Sequence, residues 1–367
     1  GRRCRRHSGL DSRVALDEHV SAADPMSPVR WGLVGSSEFC LDWVLPGLRA
    51  AAGAEPVAVV TRDADALRAR GSDHGDLVVT ESLAELATMG VDIIHVITPN
   101  DLHLPLALEA FALGLDVLME KPMALSLDEA RRMRQAAAES GRFLAVASCM
   151  AWSPVVERTR EIVRSDGLGK VSHGHLTAGF DASNHHGWRQ TTPTADGGGV
   201  LNDLGPHAID ALVRVLGPVV SVSAQLSTTV ETYAADDTAL LVLRHEGGSH
   251  SMVHLSFTHA CNDLSLTGST GQLTGTGWLG RRFAGQLALT RAERGASDFE
   301  AAAAGPAVET QALPFTDVLE RQAVEVSAAV RGGVDPEHAA AADGIHVMAV
   351  LEAAQTSSLS QGSVTDA

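Results

Sequence analysis

The strongest constraint on this chain is an alternation in its first half, where short, continuously apolar runs are separated by segments with helical spacing. Residues 29–34 form such a run, stop at Gly35 and lead into a helical stretch through Leu48, and 56–60 form the next run. The pattern repeats, with helical spacing over 83–89, 104–113 and 127–140 and apolar runs over 91–97, 116–119 and 143–147. Strands apolar on both faces must be covered on both faces, so the alternation predicts a doubly wound parallel sheet with helices on either side. Ligands of such a sheet sit beyond the carboxyl ends of its strands, which makes the residues following each run the first candidates for a site.

The turn after the first run, Gly35-Ser36-Ser37-Glu38-Phe39-Cys40, joins strand to helix, where free amides and the helix dipole can receive a pyrophosphate. Of the glycine-rich dinucleotide fingerprint only Gly35 survives. Ser37 stands where a glycine lets phosphates approach, and Cys40 where a small residue lets the helix pack. An ordinary strand-to-helix turn is the alternative. The second run ends on Thr61-Arg62, where an NAD-selective site places an acid for the ribose hydroxyls. A hydroxyl and a guanidinium suit a 2′-phosphate better, which favours NADP(H) while leaving NAD(H) possible. Arg62 solvating a loop or pairing with Asp63 is the competing reading.

With 367 residues, 45% hydrophobic and 20% charged, the chain can bury the cores of two domains. A formal net charge of -17 disfavours nucleic acid and anionic membranes as partners. Cys4, Cys40, Cys149 and Cys261 are scattered without metal-ligand or disulfide spacing, as expected of free thiols in a reducing cytoplasm, and no metal is expected in the site. No apolar run approaches the roughly 20 residues of a membrane span. Residues 1–27 carry Arg2, Arg3, Arg5 and Arg6 without an apolar core, and read as a disordered extension with no folding role, a basic targeting arm being the sharper alternative.

Further along, Thr98-Pro99-Asn100-Asp101-Leu102-His103, Glu120-Lys121-Pro122, Gly197-Gly198-Gly199 and Asp203-Leu204-Gly205-Pro206-His207 with Asp210 occur in that order. This ordered set, over about residues 28–360, resembles the Gfo/Idh/MocA family of NAD(P)-dependent oxidoreductases. The resemblance implies a Rossmann domain, here 28–149, and an α/β domain, here 150–367, whose large, mostly antiparallel open sheet binds substrate and commonly makes homodimer or homotetramer contacts. The residues agree independently. Ser153 is a candidate N-cap with Pro154 at the first helical position of a helix to about Ser165. Runs at 171–180, 219–228, 239–245 and 251–257 read as strands, 292–308 as a mobile loop, and 317–331 and 339–357 as helices. Pro206 is expected to delay the start of its helix to about His207.

The resemblance also distributes roles. Gly35, Ser36, Ser37, Glu38, Phe39, Thr61, Arg62, Thr98, Pro99, Asn100, His103, Glu120 and Lys121 would hold the dinucleotide. His207 would be the acid/base, assisted by Asp203, with Lys121 on the substrate oxygen. The chemistry is consistent: moving a hydride at a carbinol carbon needs a group that takes or gives the hydroxyl proton, and an imidazole does so near neutral pH. An ammonium stabilises a developing alkoxide. Trp188 and Arg189, which follow the pair His185-His186, are candidates to stack on a polyol ring and to bind its hydroxyls or a carboxylate. Trp152 is either another wall of the pocket or core. The expected activity is interconversion of a secondary alcohol and ketone on a sugar, cyclitol or related polyol. The alternatives are a redox-neutral, NAD-dependent glycosidase-like enzyme and a non-catalytic NAD(P)-sensing regulator.

Overall fold

A computed structural model describes residues 27–69, 75–184, 187–291 and 308–367. The extension over 1–26, the His185-His186 pair and nearly all of the 292–308 loop lie outside the described residues.

The first sheet contains β1 (Val29–Val34), β2 (Ala54–Val60), β3 (Val78–Thr80), β4 (Ile93–Val96), β5 (Asp116–Met119) and β6 (Leu144–Val146), all parallel, in the order β3-β2-β1-β4-β5-β6. The connecting helices are α1 (Leu45–Ala50), α2 (Ala64–Ala69), α3 (Leu83–Thr88), α4 (His103–Ala112) and α5 (Leu127–Ser140). This is the doubly wound sheet the apolar runs predict, and β4 and β5 are buried at all but one position. Pro56 lies inside β2 despite lacking a donor, because the β1/β2 register shifts between Trp31 and Gly32 and leaves Val57 as the extra residue of a bulge. The short β3 and α2 carried too little periodicity to be foreseen.

After α6 (Pro154–Arg164) the chain builds a second sheet. Its strands among the described residues are β7 (Val171–Gly179), β8 (Val219–Ser227), β9 (Thr238–His245), β10 (His250–Ser256), β11 (Cys261–Gly268), β12 (Gly271–Thr276), β14 (Gln286–Arg291), β15 (Val308–Ala312) and β17 (Thr365–Asp366). They lie in the order β15-β14-β12-β11-β7-β10-β9-β8-β17. A separate hairpin pairs β13 (Arg282–Phe283) with β16 (Thr316–Asp317). Only β7 and β10 run parallel, so the sheet is mixed and mostly antiparallel. A short helix, α7 (Trp188–Thr191), precedes α8 (Gly199–Leu216), which packs on β7, β9 and β10. Helix α9 (Val318–Gly332) folds back on the first sheet's side, and α10 (Ala341–Leu359) packs on β8 and α8 and reaches α5 and β6 on the first sheet's side. There Trp31 of β1 is 1% exposed and its indole N–H donates to Ser327 Oγ of α9 at 3.0 Å, a burial worth about 3–5 kcal/mol over alanine. Trp152 is likewise core, donating from Nε1 to Glu325 Oε2 at 3.0 Å. Ser153 does precede α6 with Pro154 at its start, but its hydroxyl makes no cap hydrogen bond.

Pro206 does not delay its helix. It sits at the eighth position of α8, which starts at Gly199 and not near His207. The expectation failed because helix ends are set by burial as well as by local propensity: the residues on both sides of Pro206 are buried, and their packing outweighs one lost hydrogen bond.

Candidate active site

The turn after β1 closes largely on itself. Gly35 has φ 117°, and a Cβ there would lie 2.7 Å from the carbonyl oxygen of Ile97 at the end of β4, so both conformation and space demand glycine. Ser37 accepts from the Cys40 amide at 3.2 Å through its hydroxyl, capping the helical segment that follows. That segment opens as one π-helical stretch, Phe39–Val44, before continuing into α1. Cys40 fills core space with no exposure, and burial together with the charge of Glu120 pushes its thiol up to about 12. The hydroxyls of Ser36 and Thr61 are 2.8 Å apart. Glu38 and Arg62 are exposed; Asp63, rather than pairing with Arg62, caps the Ala66 amide at 2.8 Å.

Beyond β5 the chain delivers the second half of the site. Lys121 Nζ donates to Asp203 Oδ1 at 2.9 Å and to the Asp203 main-chain oxygen at 2.8 Å. Arg189 Nε donates to the same Oδ1 at 3.1 Å. Burial alone would raise the pKa of Asp203, but the Lys121 ammonium and the Arg189 guanidinium outweigh it and hold the carboxyl well below the usual carboxylate range. His207 lies one helical turn after Asp203 on the same face of α8. Burial, then the positive charge of Lys121, lowers its pKa to about 3, so the imidazole is neutral at physiological pH. The Asp203 carboxylate, expected to assist His207, is engaged by Lys121 and Arg189. The guanidinium of Arg189 also lies 4.8 Å over the Trp188 ring and takes one of its faces.

A buried frame holds the two halves together. Glu120 Oε1 is 3.2 Å from His95 Nε2, and Oε2 accepts the Lys121 amide at 3.2 Å. Burial opposes its ionisation, but the His95 contact and the Lys121 charge leave its pKa below the ordinary value. The Lys121-Pro122 peptide is cis. The ring of His103 lies between the Pro122 carbonyl, 3.0 Å from Nδ1, and the Thr98 carbonyl, 3.1 Å from Nε2, so it joins the loop after β4 to the loop after β5; burial lowers its pKa. Asn100 Nδ2 donates to the Gly197 carbonyl at 3.3 Å, linking the Thr98-Pro99-Asn100 loop to the glycine turn. Thr98 Oγ1 is buried with no hydrogen-bond partner among the described residues.

Two contributors escaped the sequence. Asp236, from the segment before β9, accepts the Leu201 amide at 2.9 Å and so caps α8 from outside. A Cβ on Gly199, which has φ 87°, would strike Asp236 Oδ1 at 1.8 Å. Only the glycine turn signalled this contact. Arg281, before β13, lies 4.8 Å over Phe39 and 4.6 Å over Trp43, spanning from the second sheet's side to the turn after β1. Partial burial lowers its pKa, and Cys149, Asp203 and Glu120 are its nearest opposing influences. No local pattern marks a lone arginine in a loop.

Comparisons with known proteins match this arrangement. Residues 29–148 match the oxidoreductase family with an NAD-binding Rossmann fold, and 156–274 match the GFO/IDH/MocA C-terminal domain. The chain is 30% identical over 270 residues to a 1,5-anhydro-D-fructose reductase of Ensifer adhaerens, covering 72% of this chain and 80% of the relative. It is 30% identical over 251 residues to the trans-1,2-dihydrobenzene-1,2-diol dehydrogenase of Mus musculus, covering 68% and 72%. An aldose-aldose oxidoreductase from Caulobacter crescentus, solved with glycerol, superposes with a TM-score of 0.82 at 20% identity over 93% of this chain and all of the other, a likeness of fold. With both of its sheets, its ordered motifs and these relatives in agreement, the chain belongs to the GFO/IDH/MocA family of oxidoreductases.

Proposed function

We propose that this enzyme moves a hydride between a nicotinamide dinucleotide and a secondary alcohol or ketone carbon of a sugar, cyclitol or related polyol. The observation that carries the reading is the 2.9 Å Lys121–Asp203 ion pair, one helical turn before the neutral imidazole of His207. The dinucleotide fits the turn after β1, whose left-handed Gly35 lets the main chain pack against the Ile97 carbonyl, and the loop after β4, where the buried Thr98 hydroxyl lacks a partner among the described residues. Bound there, the nicotinamide supplies the hydride acceptor or donor.

The protein's own groups supply the rest. In the oxidising direction His207, already neutral, accepts the proton of the substrate hydroxyl. Lys121 donates a hydrogen bond to the same oxygen and stabilises its developing charge. Asp203 holds the Lys121 ammonium and, with it, Arg189, which stacks on Trp188. Glu120 fixes the Lys121 main chain.

NADP(H) is the favoured cofactor, because Arg62 at the end of β2 is exposed and has no acidic partner among the described residues. We also read the enzyme as cytoplasmic, in keeping with the free thiols of Cys40, Cys149 and Cys261. None of the described helices is long and apolar enough to cross a membrane. The outer face of the second sheet, where Leu240, Val242 and Met252 are about half exposed, is the candidate surface for a homodimer or homotetramer.

Fluorescence titration with NADPH and NADH, followed by a polyol and keto-sugar panel at the reduced-nicotinamide absorbance, tests the reading. Tight binding with turnover on a panel member is expected; binding without turnover on any member would refute the substrate class. Arg62→Ala should weaken NADPH about tenfold and NADH by no more than about twofold; equal losses would remove the NADP preference.

A further inference from the structure

Away from the catalytic cluster, the chain brings together His254, His259 and Cys261, with one ligand atom from each lying within 4.8 Å of the others. His254 is on the face of β10 turned away from α8, as the alternating burial of that strand shows, and Cys261 opens β11. These strands are not neighbours. β7 lies between them, so the 257–260 connection that carries His259 must cross the end of β7. Gly179, the last residue of β7, makes the crossing possible: a Cβ there would lie 2.6 Å from the His259 carbonyl oxygen and 2.9 Å from Cys261 Sγ.

The side chains are held for more than packing. The rings of His254 and His259 face one another with centroids 5.7 Å apart, and Ser256 Oγ and Thr258 Oγ1 stand 3.3 and 3.4 Å from His259 Nδ1. Such outer contacts orient an imidazole that ligates.

We propose that His254, His259 and Cys261 bind a divalent ion of the zinc type, with water in the fourth position. Two imidazoles and a thiolate are a zinc donor set, and bonds of about 2.0–2.1 Å to nitrogen and 2.3 Å to sulfur place tetrahedral ligand atoms about 3.3–3.6 Å apart. Rotation of the exposed His259 side chain closes the remaining distance. As the sulfur–metal bond forms, the Cys261 S–H bond breaks and its proton passes to solvent; no electron is transferred.

The ion has something to hold. The Phe180 amide donates to the Ser256 carbonyl at 3.1 Å and the Ala182 amide to the Phe257 carbonyl at 2.8 Å, so the stretch after β7 is tied to the same crossing. A metal at its root fixes this stretch without touching the reaction. The spacing escaped notice in the sequence because the three ligands meet across a strand that intervenes only in the fold.

The test uses the full chain, stripped of metal with a chelator and titrated with zinc against a chromophoric competitor. One ion per chain is expected from this cluster. Cys261→Ser and His259→Gln should each weaken binding at least about tenfold, while His173→Gln, further along the same face, leaves it unchanged. Cobalt should give a thiolate-to-metal charge-transfer band that Cys261→Ser abolishes, with circular dichroism confirming that each variant folds. Absence of binding would overturn the proposal, and so would binding that Cys261→Ser leaves intact, which would mark the histidines as an adventitious surface. Neither result depends on turnover, so the site stands or falls separately from the oxidoreductase reading.

Discussion

The turn at Gly35 to Cys40 is built within six consecutive residues and satisfies much of its polarity locally, Ser37 capping Cys40 and Ser36 bonding across to Thr61. Lys121, Arg189, Asp203 and Arg281 instead come from separate stretches of the chain, and Asp203 answers the charges of Lys121 and Arg189 beside the neutral His207. The first region depends on backbone shape, the second on electrostatics. Side-chain changes should therefore be felt strongly in the cluster and weakly in the turn, except where they alter the main chain.

The largest effect is expected at Lys121. Lys121→Met leaves Asp203 buried with Arg189 as its remaining strong partner, removes the donor to the substrate oxygen and should lower kcat by about 10²–10³. Breaking a buried pair costs about 3–5 kcal/mol when nothing replaces it, and Arg189 should keep the loss of urea stability at the lower end. A kcat within tenfold of the native enzyme would end the assignment of Lys121.

His207→Gln comes next, with a fall in kcat of about 10²–10⁴ and a signature in stability against pH. The folded His207 has its pKa lowered to about 3, so the unfolded chain takes up a proton that the folded chain refuses. Its contribution is complete above about pH 6.5 and is lost as the pH falls towards 3, at no more than about 1.4 kcal/mol per unit and less where water reaches the open edge of the ring. Asp203 acts in the same sense, but only as the pH falls through and below the ordinary carboxylate range. Between pH 6.5 and 5 the urea midpoint of the native protein should therefore drop more steeply than that of His207→Gln. Parallel slopes would mean that the ring titrates freely in the folded state.

How much of this was legible follows from the same contrast. Five of the six parallel strands showed because burial on both faces writes itself as unbroken apolar runs; the three-residue β3 was too short to do so. Strands β11, β12 and β14 did not: their Gly, Ser, Thr and Asn residues alternate with too few apolar ones to separate strand from loop, and only their pairing across β7 and β12 makes them strands. Lys121, Asp203 and His207 were found through their order in the chain, and the structure brings the Lys121 and Asp203 side chains together with His207 beside them. The partners of Asp203 were not legible, because a position on a helix says which residues share a face and nothing of what reaches that face from elsewhere in the chain. Arg281 and Asp236 were invisible for that reason.

The smallest effects test the turn, and they do so as a pair. Gly35→Ala forces a side chain into φ 117° and against the Ile97 carbonyl, which should cost about 1–3 kcal/mol and weaken dinucleotide binding at least tenfold. Ser37→Gly restores the residue that the dinucleotide fingerprint has at this position while removing the cap on Cys40. A glycine cap costs only a few tenths of a kcal/mol, so the midpoint of unfolding should barely move and dinucleotide affinity should stay within about threefold. If Ser37→Gly instead tightens binding by tenfold or more, the Ser37 side chain obstructs the phosphates and the turn is poorly adapted to its ligand. If it weakens binding as much as Gly35→Ala does, the hydroxyl contacts the dinucleotide directly, and the turn depends on a side chain after all.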